Sequence, residues 1–167
     1  MKFEKISYEQ FKKDIDEGLP EEIIKSMYDN IKLPKRATQN SAGYDFFAPF
    51  AFKLPAGHNI LIPTGIKCDI ENDLFLAILP RSSFGIKYGI TLANTMGVID
   101  ADYYNNPKNE GHIFVKLVNE GKELAVLEGE GFCQGIIQRY YKVDDDNTTE
   151  QRQGGIGSTS EGNNANN

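Results

Sequence analysis

Residues 79–103 read LPRSSFGIKYGITLANTMGVIDADY. The stretch opens at the end of an apolar run, Asp73 to Leu79, which predicts a strand buried on both sides. Arg81, Ser82 and Ser83 follow it directly. An arginine offers a rigid fork of donors, and each serine adds a hydroxyl. Set at a strand end, the three can converge on one anion, or the hydroxyls can cap a short helix that follows. Further on, Val98-Ile99 puts Asp100 at the end of an apolar pair. An Asp there is a turn former or a positioned carboxylate, ionised at neutral pH and able to orient or deprotonate a water. Tyr103, three residues on, can supply a flat wall.

Working outward, the pattern stays β-like. Ile66, Cys68 and Ile70 alternate with polar residues, as do Ile113, Val115 and Leu117, and Phe132 to Tyr141 reads as another apolar strand. Many short strands cut by Gly, Pro, Asn and Asp predict a β-sandwich or barrel. The first thirty residues read differently, as helical. Ser7 with Gln10 fits a capping box, and Ile6 with Phe11 fits its hydrophobic staple. Gly18 marks a stop, and Pro20, Glu21 and Glu22 suit the start of a second short helix. After Tyr141 the apolar content is lost. The predicted organisation is a helical extension over 1–30, a β domain over 31–143 and a flexible arm over 144–167. The arm contains Gly154-Gly155-Ile156-Gly157-Ser158-Thr159, which reads either as a flexible linker or as backbone amides and hydroxyls for an anion.

Composition narrows the function. With 167 residues, one domain can bury a sizeable core without staples. Eighteen basic against 24 acidic residues leave a net charge of −6, which argues against a nucleic-acid binder. Cys68 and Cys133 are far apart and the histidines are His58 and His112, so no zinc spacing exists. No apolar run has the length of a signal peptide or a membrane span, so a cytoplasmic protein with no membrane partner is expected.

Five motifs occur in order: Ala42-Gly43-Tyr44-Asp45, Pro80-Arg81-Ser82-Ser83, Asn94 to Tyr103, a Gly129-Glu130 segment running to Gln134, and Gly154 to Thr159. Together, over roughly Ile31 to Ser160, they resemble the trimeric deoxyuridine triphosphatase (dUTPase) family. The resemblance implies a mainly β, jelly-roll-like subunit assembled as a homotrimer with sites at subunit interfaces, the arm of one chain closing over a site built by others. It implies hydrolysis of dUTP to dUMP and pyrophosphate, which limits uracil in DNA and supplies dUMP for dTMP synthesis. By position, Asp100 would activate the water that attacks the α-phosphorus, and Tyr103 would pack on the deoxyribose. Asn94, Gly97, Val98 and Ile99 would bind uracil. Arg81, Ser82, Ser83 and Gln134 would bind phosphate. Arg152, Ile156, Gly157, Ser158 and Thr159 would be the arm's contacts, and Asp45 would support the site or its metal shell. Mg2+ is implied as cofactor, held by substrate phosphates and water with no direct protein ligand.

The chain departs from the family pattern in places. Gly129-Glu130-Gly131 stands where Gly-Asp-Arg is usual, Ile156 where Phe is common, and Tyr104 to Glu110 lengthens the segment after Tyr103. Two alternatives remain open. One is a related dCTP deaminase, which uses a glutamate near the position of Lys116. The other is a nucleotide-gated binding protein with a regulatory protein partner, to which the front helices and the longer segment would lend themselves.

Overall fold

The structure is a computed structural model, and it describes residues 1–15, 18–150, 152 and 154–155. Two helices lie near the start, α1 (Tyr8–Asp14) and α2 (Glu21–Asn30), and a third, α3 (Ser82–Tyr88), follows the Arg81 segment. The strands are β1 (Lys2–Lys5), β2 (Lys35–Arg36), β3 (Tyr44–Phe47), β4 (Phe52–Leu54), β5 (Asn59–Pro63) and β6 (Ile66–Asp69). They continue as β7 (Leu74–Pro80), β8 (Ile90–Leu92), β9 (Gly97–Asp100), β10 (Phe114–Asn119), β11 (Leu124–Val126) and β12 (Gly131–Arg139). All pairings are antiparallel. The largest sheet has the order β2-β3-β12-β7-β9, and a three-stranded sheet has the order β5-β10-β8. The mainly β fold class is as expected.

Alternation decides which faces meet. In β10, Val115 and Leu117 are buried while Lys116 is exposed. In β6, Ile66 and Cys68 are buried. These residues join Leu54, Ile62, Leu76, Ile78, Ile90, Phe46 and Phe132 in one core. The β7 strand is fully buried only at its centre, Leu76 to Ile78, and half-buried at its ends. Burial pushes the Cys68 thiol up to about 12 and the Cys133 thiol well above its ordinary value, so both stay protonated and inert.

The front of the chain is corrected in one respect. Lys2–Lys5 is a strand, not part of a helical run, because it finds a partner in β6 (Phe3 opposite Cys68). The predicted cap is present: the Ser7 hydroxyl accepts from the Gln10 amide at 3.1 Å, and Ile6 and Phe11 are both fully buried. Pro20 is the residue just before α2, whose first turn carries Glu21 and Glu22. Ile6, Phe11, Ile15 and Ile24 belong to the same core as the sheets, so the extension is packed into the domain rather than appended to it.

β8 pairs with β10 and β9 pairs with β7, so residues 93–96 form a corner between two sheets. Thr95 takes a positive φ of 65° to make the corner. As a result β9 is an edge strand of its sheet among the described residues. An edge strand carries a row of backbone donors and acceptors without a strand partner.

Candidate functional site

Two clusters form, one at the carboxyl end of β7 and one along β9, which pairs with Phe75 to Ile78 of β7. At the carboxyl end of β7 the chain leaves Pro80 into Arg81, and α3 begins at Ser82. The short helix exists, but no side-chain hydrogen bond caps it, and Ser82 and Ser83 are exposed. The Arg81 Nη1 donates to the Gly131 carbonyl at 2.8 Å, and its Nε lies 3.4 Å from an Asp45 oxygen. Asp45 therefore orients the arginine fork. In register, Gln134 of β12 sits between Asp45 and Leu79, and its Nε2 donates to the Pro80 carbonyl at 3.1 Å. The sheet thus brings Asp45, Arg81 and Gln134, from three separate motifs, to one place.

Two glycines make this cluster fit. A Cβ on Gly43 would lie 2.5 Å from Gln134 Oε1, and one on Gly131 would lie 3.0 Å from Arg81 Nη1. The missing side chain at Gly131 leaves that space to Arg81.

The other cluster surrounds a cavity of about 470 Å³ between β9 and the three-stranded sheet. Asn94, Gly97, Val98, Ile99 and Tyr103 all line it. Leu61, Leu92, Phe114 and Lys116 form the opposite wall. That wall was not read as a site from sequence, because in an alternating strand these residues look like ordinary surface and core positions. Leu61 and Val98 stay about half exposed, at 50% and 51%.

Asp100 ends β9, opposite Phe75. Burial raises its carboxyl above the ordinary range; Arg152 opposes that rise and Asp102 adds to it. Arg152 pairs with Asp100 through Nη2 and donates from Nε to Asp102 at 2.9 Å. Its guanidinium lies 5.6 Å from the Tyr103 ring centre. Within the single chain, Arg152 and Gly155 are thus on the chain's own Asp100–Tyr103 cluster, and not beside Arg81. Ile156, Gly157, Ser158 and Thr159 lie outside the described residues.

Tyr103 is only 7% exposed and is held at its hydroxyl. The hydroxyl donates to the His112 carbonyl at 2.7 Å and accepts from Asn109 Nδ2 at 2.8 Å. Neither His112 nor Asn109 stands in a motif, and sequence reasoning missed both. The Asn-rich composition of 105–109 was the one visible sign of a tightly bonded loop.

The two clusters are not one site within one chain. From Phe75, opposite Asp100, to Arg81 the strand runs six residues, roughly 20 Å at the usual rise. None of Arg81, Ser82, Ser83 and Gln134 lines the cavity at β9. Among the described residues no group of three or more His, Cys, Asp or Glu side chains is placed to hold a metal.

The family model described as dUTPase matches residues 29–160. A Lactococcus lactis protein, deoxyuridine 5′-triphosphate nucleotidohydrolase, is 42% identical over 142 residues, covering 83% of this chain and 95% of its own length. A Rickettsia canadensis protein of the same name is 44% identical over 138 residues, covering 76% of this chain and 87% of its own. Among solved structures, the Streptococcus mutans dUTPase is similar at 36% identity with a TM-score of 0.66, covering 86% of this chain and 99% of its own. A dUTPase from phage phi11 of S. aureus, in which a structural Mg(II) ion is coordinated, shares the fold at 17% identity and a TM-score of 0.60, covering 75% of this chain and 94% of its own.

Proposed function

Because the chain belongs to the dUTPase family, we propose that its two clusters are the halves of one active site, joined when copies of the chain assemble. The chain is a dUTP diphosphatase and hydrolyses dUTP to dUMP and pyrophosphate. In this reading uracil lies in the β9 cavity against the unpaired edge of β9 and Asn94. An edge backbone has a fixed donor and acceptor order. A base with the wrong order leaves buried groups unpaired, which discriminates uracil from cytosine strongly. Tyr103 packs on the deoxyribose and leaves no space for a 2′-hydroxyl.

Asp100 takes a proton from a water as that water's oxygen bonds the α-phosphorus. The bond from the α-phosphorus to the bridging oxygen breaks, and pyrophosphate leaves. Arg81, Ser82, Ser83 and Gln134 hold the phosphates from the second copy, and the arm residues Arg152, Ile156, Gly157, Ser158 and Thr159 cover them. Asp45 acts through Arg81, as its orienting partner. Mg2+ would sit on the phosphates and water, and when bound it would neutralise phosphate charge.

The single observation that carries the split site is the separation of Asp100 from Arg81 along β7. The half-exposed apolar rim, Leu61 and Val98, supports a covered cavity mouth. A homotrimer is the assembly this family resemblance implies, with each site closed by a neighbour. The test is pyrophosphate release from dUTP, dCTP, dTTP and UTP, with and without Mg2+. Release from dUTP alone, raised by Mg2+, is expected. Equal release from UTP would contradict the Tyr103 assignment, and ammonia from dCTP would restore the deaminase alternative.

A further inference from the structure

The front segment, which precedes the motifs that carry the resemblance, is bonded to the lengthened loop after Tyr103 and to His112 just beyond it. Three residue pairs join them. The Tyr104 hydroxyl donates to Glu4, a carboxylate of β1. The Glu110 carboxylate accepts from the Ser7 amide at 2.9 Å and from the Ser7 hydroxyl at 2.5 Å. The His112 Nδ1 donates to Asp14 Oδ2 at 2.7 Å.

The last contact is the most constrained. His112 is fully buried, and burial lowers its proton affinity. Its Nε2 accepts from the Gly65 amide at 2.8 Å, so that nitrogen carries no proton and the Nδ1–H must face Asp14. Asp14 also accepts from Gln10 Nε2 at 2.8 Å, and the Gly65 carbonyl accepts from the Ile6 amide at 3.1 Å. The ring is therefore fixed on both sides by α1 and the turn beside it. The carbonyl of this same His112 holds the Tyr103 hydroxyl.

The loop needs that support. Glu110 and Asn105 take positive φ values of 59° and 55°. Asn tolerates that region, whereas a Glu persists there only when its surroundings impose it. Ser7 supplies the imposing contact. Asn109, the other partner of Tyr103, hangs from the same loop through Asn106, whose Nδ2 donates to Asn109 Oδ1 at 2.7 Å.

We propose that the front segment, through Asp14 and Ser7, is a positioning device for Tyr103 and sets how strictly the site rejects a ribonucleotide. The proposal rests on the reading that Tyr103 packs against the sugar. A wall that excludes one hydroxyl must stay within a fraction of an ångström, and its precision comes from what supports it.

The test uses the full chain and the non-hydrolysed α,β-imido analogues of dUTP and UTP, so that binding is read apart from turnover. The wild type prefers the deoxy analogue. Asp14→Ala lowers that preference by about tenfold or more, whereas Asp14→Asn, which still offers an acceptor to His112, keeps it. Glu110→Gly removes the Ser7 clamp, suits the positive φ and so folds, and lowers the preference as well. Wild-type preference in both Asp14→Ala and Glu110→Gly would overturn the proposal, as would a wild type with no deoxy preference. Loss of the preference in both variants, with no pyrophosphate release by the wild type, would sink the reaction and leave the positioning role supported.

Discussion

Arg152 is paired with Asp100, the one carboxylate assigned to activate water, and the pairing works against the burial that raises that carboxyl. A general base works only when ionised. Turnover should therefore fall as pH drops through the Asp100 pKa, with a midpoint above the ordinary carboxylate value of about 3.9. Arg152→Ala removes the opposing charge and moves the midpoint to higher pH. A pH–rate profile of both proteins checks this, and a shift downward in the variant would contradict it.

Asp100→Asn should reduce turnover by about a hundredfold to ten-thousandfold, the usual worth of a general base. Stability should move the other way. A carboxyl whose folded pKa is raised favours its neutral form in the folded protein. Above that pKa the ionised group therefore costs stability, and a neutral amide relieves the cost. A Tm at pH 7 equal to or above wild type is expected, together with retained nucleotide binding. A variant that loses binding and turnover in equal measure would assign Asp100 to structure instead.

The pairing of Asp45 with Arg81 predicts non-additivity. Asp45→Asn and Arg81→Ala should each raise the KM for dUTP. The double variant should be little worse than Arg81→Ala, because Asp45 acts through the arginine. Independent, additive effects on KM would show that Asp45 has its own contact with substrate. A milder probe of the same cluster is Gly43→Ala. Its Cβ would displace the Gln134 side chain from the Pro80 carbonyl, so KM should rise severalfold with Tm nearly unchanged.

His112 gives a pH signature of folding. Burial lowers its pKa, and the Asp14 contact only partly opposes this. As pH falls below about 6.5, the unfolded chain takes up a proton on His112 that the folded chain refuses. Stability then declines until the folded pKa is reached. Asp14 is held below the ordinary range by its bonds from His112 and Gln10, against burial, so its own contribution is lost at lower pH still. Tm measured from pH 7.5 to 5.5 should drop more steeply for wild type than for His112→Asn. Parallel slopes would contradict the neutral His112.

Local patterning carried much of the fold in the sequence. The Ser7 cap, the alternation in β6 and β10 and the apolar β12 each depend on neighbours within a few residues. β1 did not show, because Lys2-Phe3-Glu4-Lys5 has one apolar side chain and becomes a strand only by pairing with residues more than sixty positions away. The site divided in the same way. Motif order placed Asp45, Arg81, Asn94, Asp100, Tyr103 and Gln134, and the fold groups them into two clusters. The supports of Tyr103 were invisible, since a lone His112 has no periodic signature and its partner Asp14 lies 98 residues earlier. Nor could spacing tell that Asp100 and Arg81 sit at opposite ends of one strand, which depends on antiparallel register.

That register makes subunit complementation the most direct test. Asp100→Asn and Arg81→Ala chains are co-expressed with different tags, and the mixed assembly is purified through both and assayed at a dUTP concentration low enough that each parent is nearly inactive. A site shared between copies can then draw Asp100 from one chain and Arg81 from the other, and dUTP hydrolysis returns to a substantial fraction of wild type. If both residues served one substrate from the same chain, every site would carry a defect and the mixed assembly would stay as inactive as its parents.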